Sequence, residues 1–212
     1  FGADQPTAQA EPVRAISVDR IRGRLGAVPR SLMTEIDEAL GQPLSKVMWE
    51  GPEDQLTLTE NAQPALMAVS LAALRTLEAE KGFSLKVRVS FVAGHSLGEY
   101  SALASAGALS IADTARLLKT RGRAMQAAVP VGQGAMAALL GAELPQAQEL
   151  AKAASDGEVC AAANDNAPGQ VVISGTRTAI ERAVALAPKY GSRRAVLLPV
   201  SAPFHCALMQ QA

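Results

Sequence analysis

Apolar residues first recur at helical spacing at Leu32, Ile36, Ala39 and Leu40, and Gly41 closes that segment. A second run follows Pro64: Leu66, Val69 and Ala73 share one side, Met67, Leu71 and Leu74 widen it, and Gly82 ends it. Proline suits a first helical position, where its missing N–H is not needed, so this pattern predicts a largely buried helix opening at Pro64. Residues 87–93 (VRVSFVA) are apolar, rich in β-branched side chains and stop at Gly94, which predicts a buried strand. A helix is expected over 97–106. Ser110 and Asp113 have the spacing of a capping box, opening a helix to about residue 128.

From there to residue 200 the pattern has an order of its own. Strands are expected at 135–140, 158–163, 170–174 and 194–200, with helices at 144–154 and 178–190. The turn-forming run Asn164-Asp165-Asn166-Ala167-Pro168-Gly169 joins the middle strands. The order is β-α-β-β-α-β, a split βαβ or ferredoxin-like unit. The expected fold is therefore α/β: a parallel-sheet core over 31–130 and 201–212, with a ferredoxin-like subdomain over 131–200 inserted in it. Residues 1–30 stand apart. They open Ala/Gln/Pro-rich without a period and then carry Arg14, Arg20, Arg22, Arg24 and Arg30, which reads as an unassigned, solvated leader.

Composition narrows the function classes. The chain of 212 residues is 49% hydrophobic and 19% charged, enough to bury a sizeable core. Lys+Arg and Asp+Glu are 20 each, which argues against a generally polyanion-binding chain, and the 3% aromatic content argues against base stacking. No nucleic acid is expected as a partner. No run reaches the roughly 20 apolar residues that cross a bilayer, so no membrane is expected either. Two cysteines, Cys160 and Cys206, make no disulfide framework and suit a reducing compartment. A cytoplasmic monomer is expected. Neither cysteine has partners at metal-ligand spacing, so no metal site is expected.

Gly94-His95-Ser96-Leu97-Gly98 is a G-x-S-x-G sequence set between an expected strand and an expected helix. In that context a sharp turn lifts the serine hydroxyl clear of the sheet edge. The helix N-terminus brings positive potential and free N–H groups, and Leu97 N–H is the natural first donor to an oxyanion. A serine needs a base. His95 adjoins the nucleophile and should point to the other side, which leaves His205, just beyond an expected strand end. Cys206, beside His205, reads as a small buried residue. On the helix over 111–128 an arginine could bind a carboxylate through two parallel hydrogen bonds. Arg116, Arg121 and Arg123 are equal candidates on pattern alone.

Together, Gly94-His95-Ser96-Leu97-Gly98-Glu99, Arg121-Gly122, Pro203-Phe204-His205, Glu60-Asn61-Ala62-Gln63-Pro64-Ala65 and the run from Asn166 to Ile173 resemble the malonyl-CoA:acyl carrier protein transacylases. The resemblance runs over residues 32–212. It implies an α/β-hydrolase-like core with a ferredoxin-like subdomain and no cofactor. It also implies Ser96 as nucleophile, His205 as base, Arg121 as the grip on the malonyl carboxylate and Gln63 beside the site. The implied partners are malonyl-CoA and the phosphopantetheine thiol of acyl carrier protein, in fatty-acid synthesis. Members of that family open on a Gly-Gln-Gly-x-x-Gln motif with a second oxyanion donor, and continue past the histidine into a segment that supports it. Residues 1–30 hold no such motif and the sequence stops at Ala212, so impaired catalysis is expected. Two other readings remain. A serine hydrolase or thioesterase would orient His205 with Asp113, Glu143, Asp156, Asp165 or Glu181 and would have no use for Arg121. A non-catalytic carrier-binding remnant would be indifferent to Ser96.

Overall fold

A computed structural model describes residues 30–212. Of the leader expected over 1–30, residues 1–29 lie outside the described residues, and Arg30 belongs to a helix instead. Helix α1 (Arg30–Leu40) buries Leu32, Met33 and Ile36, as its period requires. Two short helices follow, α2 (Leu44–Glu50) and α3 (Glu53–Thr57). Segments of five to seven residues offer too few turns for a period to register.

Helix α4 spans Thr59–Lys81 and opens five residues before Pro64. The start expected at Pro64 is thus displaced. Its first turn is anchored instead by Leu58, whose carbonyl accepts from Asn61 N (2.8 Å) and Ala62 N (2.9 Å). A helix-interior proline costs about 3 kcal/mol. Here its ring is fully buried, and the long apolar face that follows offsets the loss. The early start places Glu60, Asn61 and Gln63 on helix rather than loop.

Residues 87–93 are not a buried strand. Helix α5 (Leu85–Arg88) takes the first part, and the rest runs without regular pairing. Val87 is 79% and Phe91 91% exposed. A strand buried on both faces exists only between neighbours that pair with its edges, and among the described residues no strand lies beside it. The parallel-sheet arrangement expected for the core is accordingly not formed by residues 30–212, where every strand pair is antiparallel. Helix α6 (Gly98–Ser105) follows the serine turn. Helix α7 (Ile111–Ala128) starts where the capping residues place it: Ser110 Oγ accepts from Asp113 N at 3.0 Å.

The second half builds a four-stranded sheet. Strands β1 (Gly134–Leu140), β2 (Cys160–Ala167), β3 (Gln170–Thr176) and β4 (Arg194–Leu197) lie in the order β2-β3-β1-β4. Helices α8 (Leu144–Ser155) and α9 (Arg177–Leu186) pack on it. The β-α-β-β-α-β order matches the sequence pattern, but the turn does not. Only Pro168 and Gly169 separate β2 from β3, and Asn164, Asp165 and Asn166 belong to β2, which is bulged on both sides of the Asn164–Asp165 pair. The described residues thus form two apolar cores. One gathers Leu32, Ile36, Leu44, Met67, Leu71 and Leu118. The other gathers Leu139, Leu150, Val171, Ile173 and Ile180.

Helices α4 and α7 cross closely because Gly122 has no side chain. A Cβ there would lie 2.5 Å from Glu60 Cα and 2.7 Å from Thr59 O. Both obstacles are backbone, so relief requires moving a helix. Gly122→Ala is expected to destabilise the fold by about 1–3 kcal/mol, the usual penalty of overpacking. Urea unfolding checks this, as a lower midpoint at unchanged slope.

Candidate active site

Ser96 sits on a strained turn. Its φ is +54°, in the left-handed region, which costs a non-glycine residue roughly 1–3 kcal/mol. The turn is held from below by Gly94, where a Cβ would fall 1.9 Å from the carbonyl carbon and oxygen of Gly98. Gly98 itself faces open space, so of the two glycines Gly94 is the one the geometry demands. The bend is closed by Gly98 N donating to His95 O at 2.9 Å. Leu97 is the N-cap of α6, and its N–H has no acceptor among the described residues.

Two groups converge on the hydroxyl. Ser96 Oγ lies 3.0 Å from His205 Nε2, within reach of proton transfer, although the residues are 109 positions apart. Arg121 Nη2 donates to the same oxygen at 3.0 Å. With one lone pair engaged by arginine, the hydroxyl is free to donate to a neutral His205. Arg121 Nη1 donates to Gln63 Oε1 at 2.6 Å, and buried Gln63 is itself oriented by its amide donating to Thr59 Oγ1 at 2.8 Å. The guanidinium also lies 5.9 Å from the Tyr100 ring centroid, within cation–π range. The other two arginines are engaged elsewhere: Arg116 pairs with Asp113 and Arg123 with Glu60. Helical rotation of 100° per residue separates the three.

His205 also has a positive φ, +58°. The residues before it are tied down. Ser201 Oγ accepts from Thr59 N at 3.2 Å, Ser201 O accepts from Gln126 Nε2 at 3.2 Å, and the buried Pro203 ring covers Gly134 so closely that a Cβ there would lie 2.3 Å away. Partial burial lowers the His205 pKa below its ordinary 6.5, helped by the Arg121 and His95 charges. The shift favours the neutral imidazole, the form that can accept a proton.

His95 does not point to the opposite side as expected. Its ring centroid is 6.4 Å from that of His205, and its Nε2 is 3.2 Å from Asn164 Nδ2. It makes no contact with the Ser96 hydroxyl. The bulge in β2 re-aims the strand at Asn164, and that irregular pairing left no trace in the sequence pattern. Tyr100 was also missed, though its place one turn beyond Ser96 was the available signal. Cys206 is half-buried rather than buried, with Sγ 3.2 Å from Pro203 O. Burial pushes the Cys160 thiol up to about 11, so it is no nucleophile near neutral pH. None of Asp113, Glu143, Asp156, Asp165 and Glu181 contacts His205 among the described residues, which removes the support for a hydrolase triad. No cluster of metal-ligating side chains occurs among them, and no described helix is long and apolar enough to cross a membrane.

A cavity of about 300 Å3 opens over this constellation, lined by Gln63, Ser96, Leu97, Arg121, Met125 and Phe204 among others. The mostly apolar hollow thus holds the Ser96 hydroxyl, Leu97 and the Arg121 guanidinium, with the His205 imidazole hydrogen-bonded to Ser96 from outside its lining.

Known proteins share this arrangement of chain. A malonyl CoA-acyl carrier protein transacylase of Bacillus subtilis is 46% identical over 184 residues, 86% of this chain and 56% of the relative. One from Haemophilus influenzae is 47% identical over 178 residues, 84% of this chain and again 56% of the relative. The chain therefore spans a little over half the length of these curated relatives. Among solved structures, an acyl-carrier-protein S-malonyltransferase from Bartonella henselae matches with TM-score 0.80 and 51% identity, over 95% of this chain and 64% of that one. A malonyl-transacylase solved with its type II polyketide synthase acyl-carrier protein matches with TM-score 0.79 and 41% identity, over 87% and 58%. The acyl transferase domain family matches residues 26–212, the whole of the described region, and the chain belongs to that family.

Proposed function

We propose that the chain transfers a malonyl group from malonyl-CoA to the phosphopantetheine thiol of acyl carrier protein, through an ester on Ser96. The observation that carries this reading is Ser96 Oγ lying 3.0 Å from both a neutral base, His205, and a carboxylate-binding cation, Arg121. The similarity to transacylases of that name, one solved with its carrier protein, supports the same substrates.

The first half-reaction begins with Ser96 Oγ attacking the thioester carbonyl while its proton passes to His205 Nε2. Leu97 N–H stabilises the oxyanion, the C–S bond breaks, and the CoA sulfur leaves with the proton from His205. In the second half the carrier thiol gives its proton to His205 and its sulfur attacks the Ser96 ester. The Ser96 oxygen leaves and recovers the proton. Arg121, held by Gln63, binds the free carboxylate throughout. The apolar lining keeps water away from the ester until a thiol arrives.

In the reading proposed, residues 31–130 and 201–212 are part of an α/β-hydrolase-like core, and residues 131–200 form an inserted ferredoxin-like subdomain. The separate apolar cores of the two parts support that division. The chain acts as a cytoplasmic monomer in fatty-acid synthesis. Leu97 N–H is the oxyanion donor the described residues supply, and sites with one donor fewer run about 10²–10³ slower. Acyl-enzyme formation is therefore the suitable measurement. Incubation with malonyl-CoA is expected to add one malonyl group per chain, located by peptide mass spectrometry on the segment holding Ser96 and discharged by the carrier thiol. Absence of the adduct, or its location on Cys160 or Cys206, would overturn the reading.

A further inference from the structure

Lys119 lies on α7, two residues before Arg121, with a side chain only 8% exposed. A buried ammonium is costly unless its donors are all engaged. Lys119 Nζ donates to Asn61 Oδ1 at 2.8 Å and to Gln42 Oε1 at 3.0 Å, and pairs with Glu60 Oε2 at 2.8 Å. Gln42 Nε2 also donates to Asn61 Oδ1 at 3.1 Å, and Asn61 Nδ2 donates to Gln55 O at 2.8 Å. The ammonium thus joins α7, the first turn of α4 and the link between α1 and α2, and Asn61 extends the cluster to α3. None of these groups touches Ser96 or the cavity.

The place where this cluster grips matters. Glu60 and Asn61 lie in the turn of α4 that ends at Gln63. Gly122, three residues beyond Lys119, fits against Glu60 Cα. The same crossing carries the Gln63–Arg121 bond, which aims the guanidinium at Ser96. A shift of α4 along α7 would move Gln63 and swing Arg121 off its line.

We infer that Lys119 is a positioning residue for the carboxylate grip: it fixes α4 on α7 so that Gln63 holds Arg121 beside Ser96. This rests on the proposed function for its substrate. It adds that selection between a charged and an uncharged acyl group depends on a residue outside the cavity.

The test compares acylation of Ser96 by malonyl-CoA and acetyl-CoA in Lys119→Met. Glu60 keeps Arg123 as a partner and Asn61 keeps Gln42 and Gln55, so the variant leaves no bare charge. Acetyl has no carboxylate and does not need the grip. Malonyl loading is expected to fall roughly ten- to a hundredfold, as small misplacements of binding groups do, with acetyl loading within about threefold of the native value. A parallel fall for both, or no change in either, overturns the inference. Should Lys119→Met not fold, Gln42→Ala removes one outlying acceptor. It should shift the malonyl-to-acetyl ratio the same way by about fivefold, the worth of one hydrogen bond, and an unchanged ratio overturns the inference. If the native chain loads neither thioester, the proposed function falls on its own. A crystal structure of whichever of the two variants folds then decides for Lys119: Arg121 displaced from Gln63 supports the inference, and an intact Arg121–Gln63 bond overturns it.

Discussion

Replacing His205 with Ala is expected to slow acylation of Ser96 by about 10²–10⁴-fold, the range that a positioned general base contributes. Ser96 remains on its strained turn and Leu97 N–H still faces the oxyanion, so residual loading persists. The rate of adduct growth in intact-protein mass spectrometry reads this directly. The pH profile separates a base from a structural histidine. The folded His205 pKa is lowered, first by burial and then by the Arg121 and His95 charges. The proton is lost more readily than from an ordinary imidazole, so the acid limb of loading by the native chain should lie at lower pH than an ordinary imidazole would give. In His205→Ala that acid limb should vanish. A limb that persists unchanged would assign it to another group and would end the assignment of His205 as base.

That limb also shows how much the sequence could convey. Ser96 was legible because the G-x-S-x-G spacing constrains a few adjacent residues, and the turn it implies is present with its positive φ and its Gly94 contact. His205 was singled out by elimination between two histidines and by its place beyond an expected strand end, and the argument against His95 does not hold as made, since both rings lie on one flank. Choosing Arg121 over Arg116 and Arg123 needed the family resemblance. The deciding facts, Gln63 on a helix that opens at Thr59 and Gly122 at the crossing, are long-range and leave no local period. The order of the four strands was legible because they alternate with helices of ordinary length, although β2 runs on to Ala167 and β4 stops at Leu197. The strand expected at 87–93 failed for the complementary reason. Its apolar, β-branched composition specifies a partner on each side rather than a conformation, and the described residues supply none.

In the proposed reading, Arg121 carries the largest consequence for which acyl group is accepted. Its two terminal nitrogens already span Gln63 Oε1 and Ser96 Oγ, 2.6 and 3.0 Å away, so the fork is formed before any ligand arrives. A carboxylate entering the cavity meets donors whose orientation is fixed, and each charge-assisted hydrogen bond contributes about 1.5–3 kcal/mol. Because the group is only partly buried, water moderates the loss when it is removed. Arg121→Ala is expected to lower malonyl loading by about a hundredfold, equivalent to roughly 2.7 kcal/mol. Acetyl loading should change by less than about tenfold, since an acetyl group presents no carboxylate to the fork and loses only the bond that orients the serine hydroxyl. Arg121→Lys should recover little of the malonyl rate, because a single ammonium cannot reach both acceptors in the geometry of a planar fork. The same change relieves His205 of a neighbouring cation, so the acid limb of loading should move to higher pH in Arg121→Ala. An equal loss for malonyl and acetyl would mean that the arginine serves the hydroxyl rather than the substrate, and would return carboxylate recognition to an unassigned group.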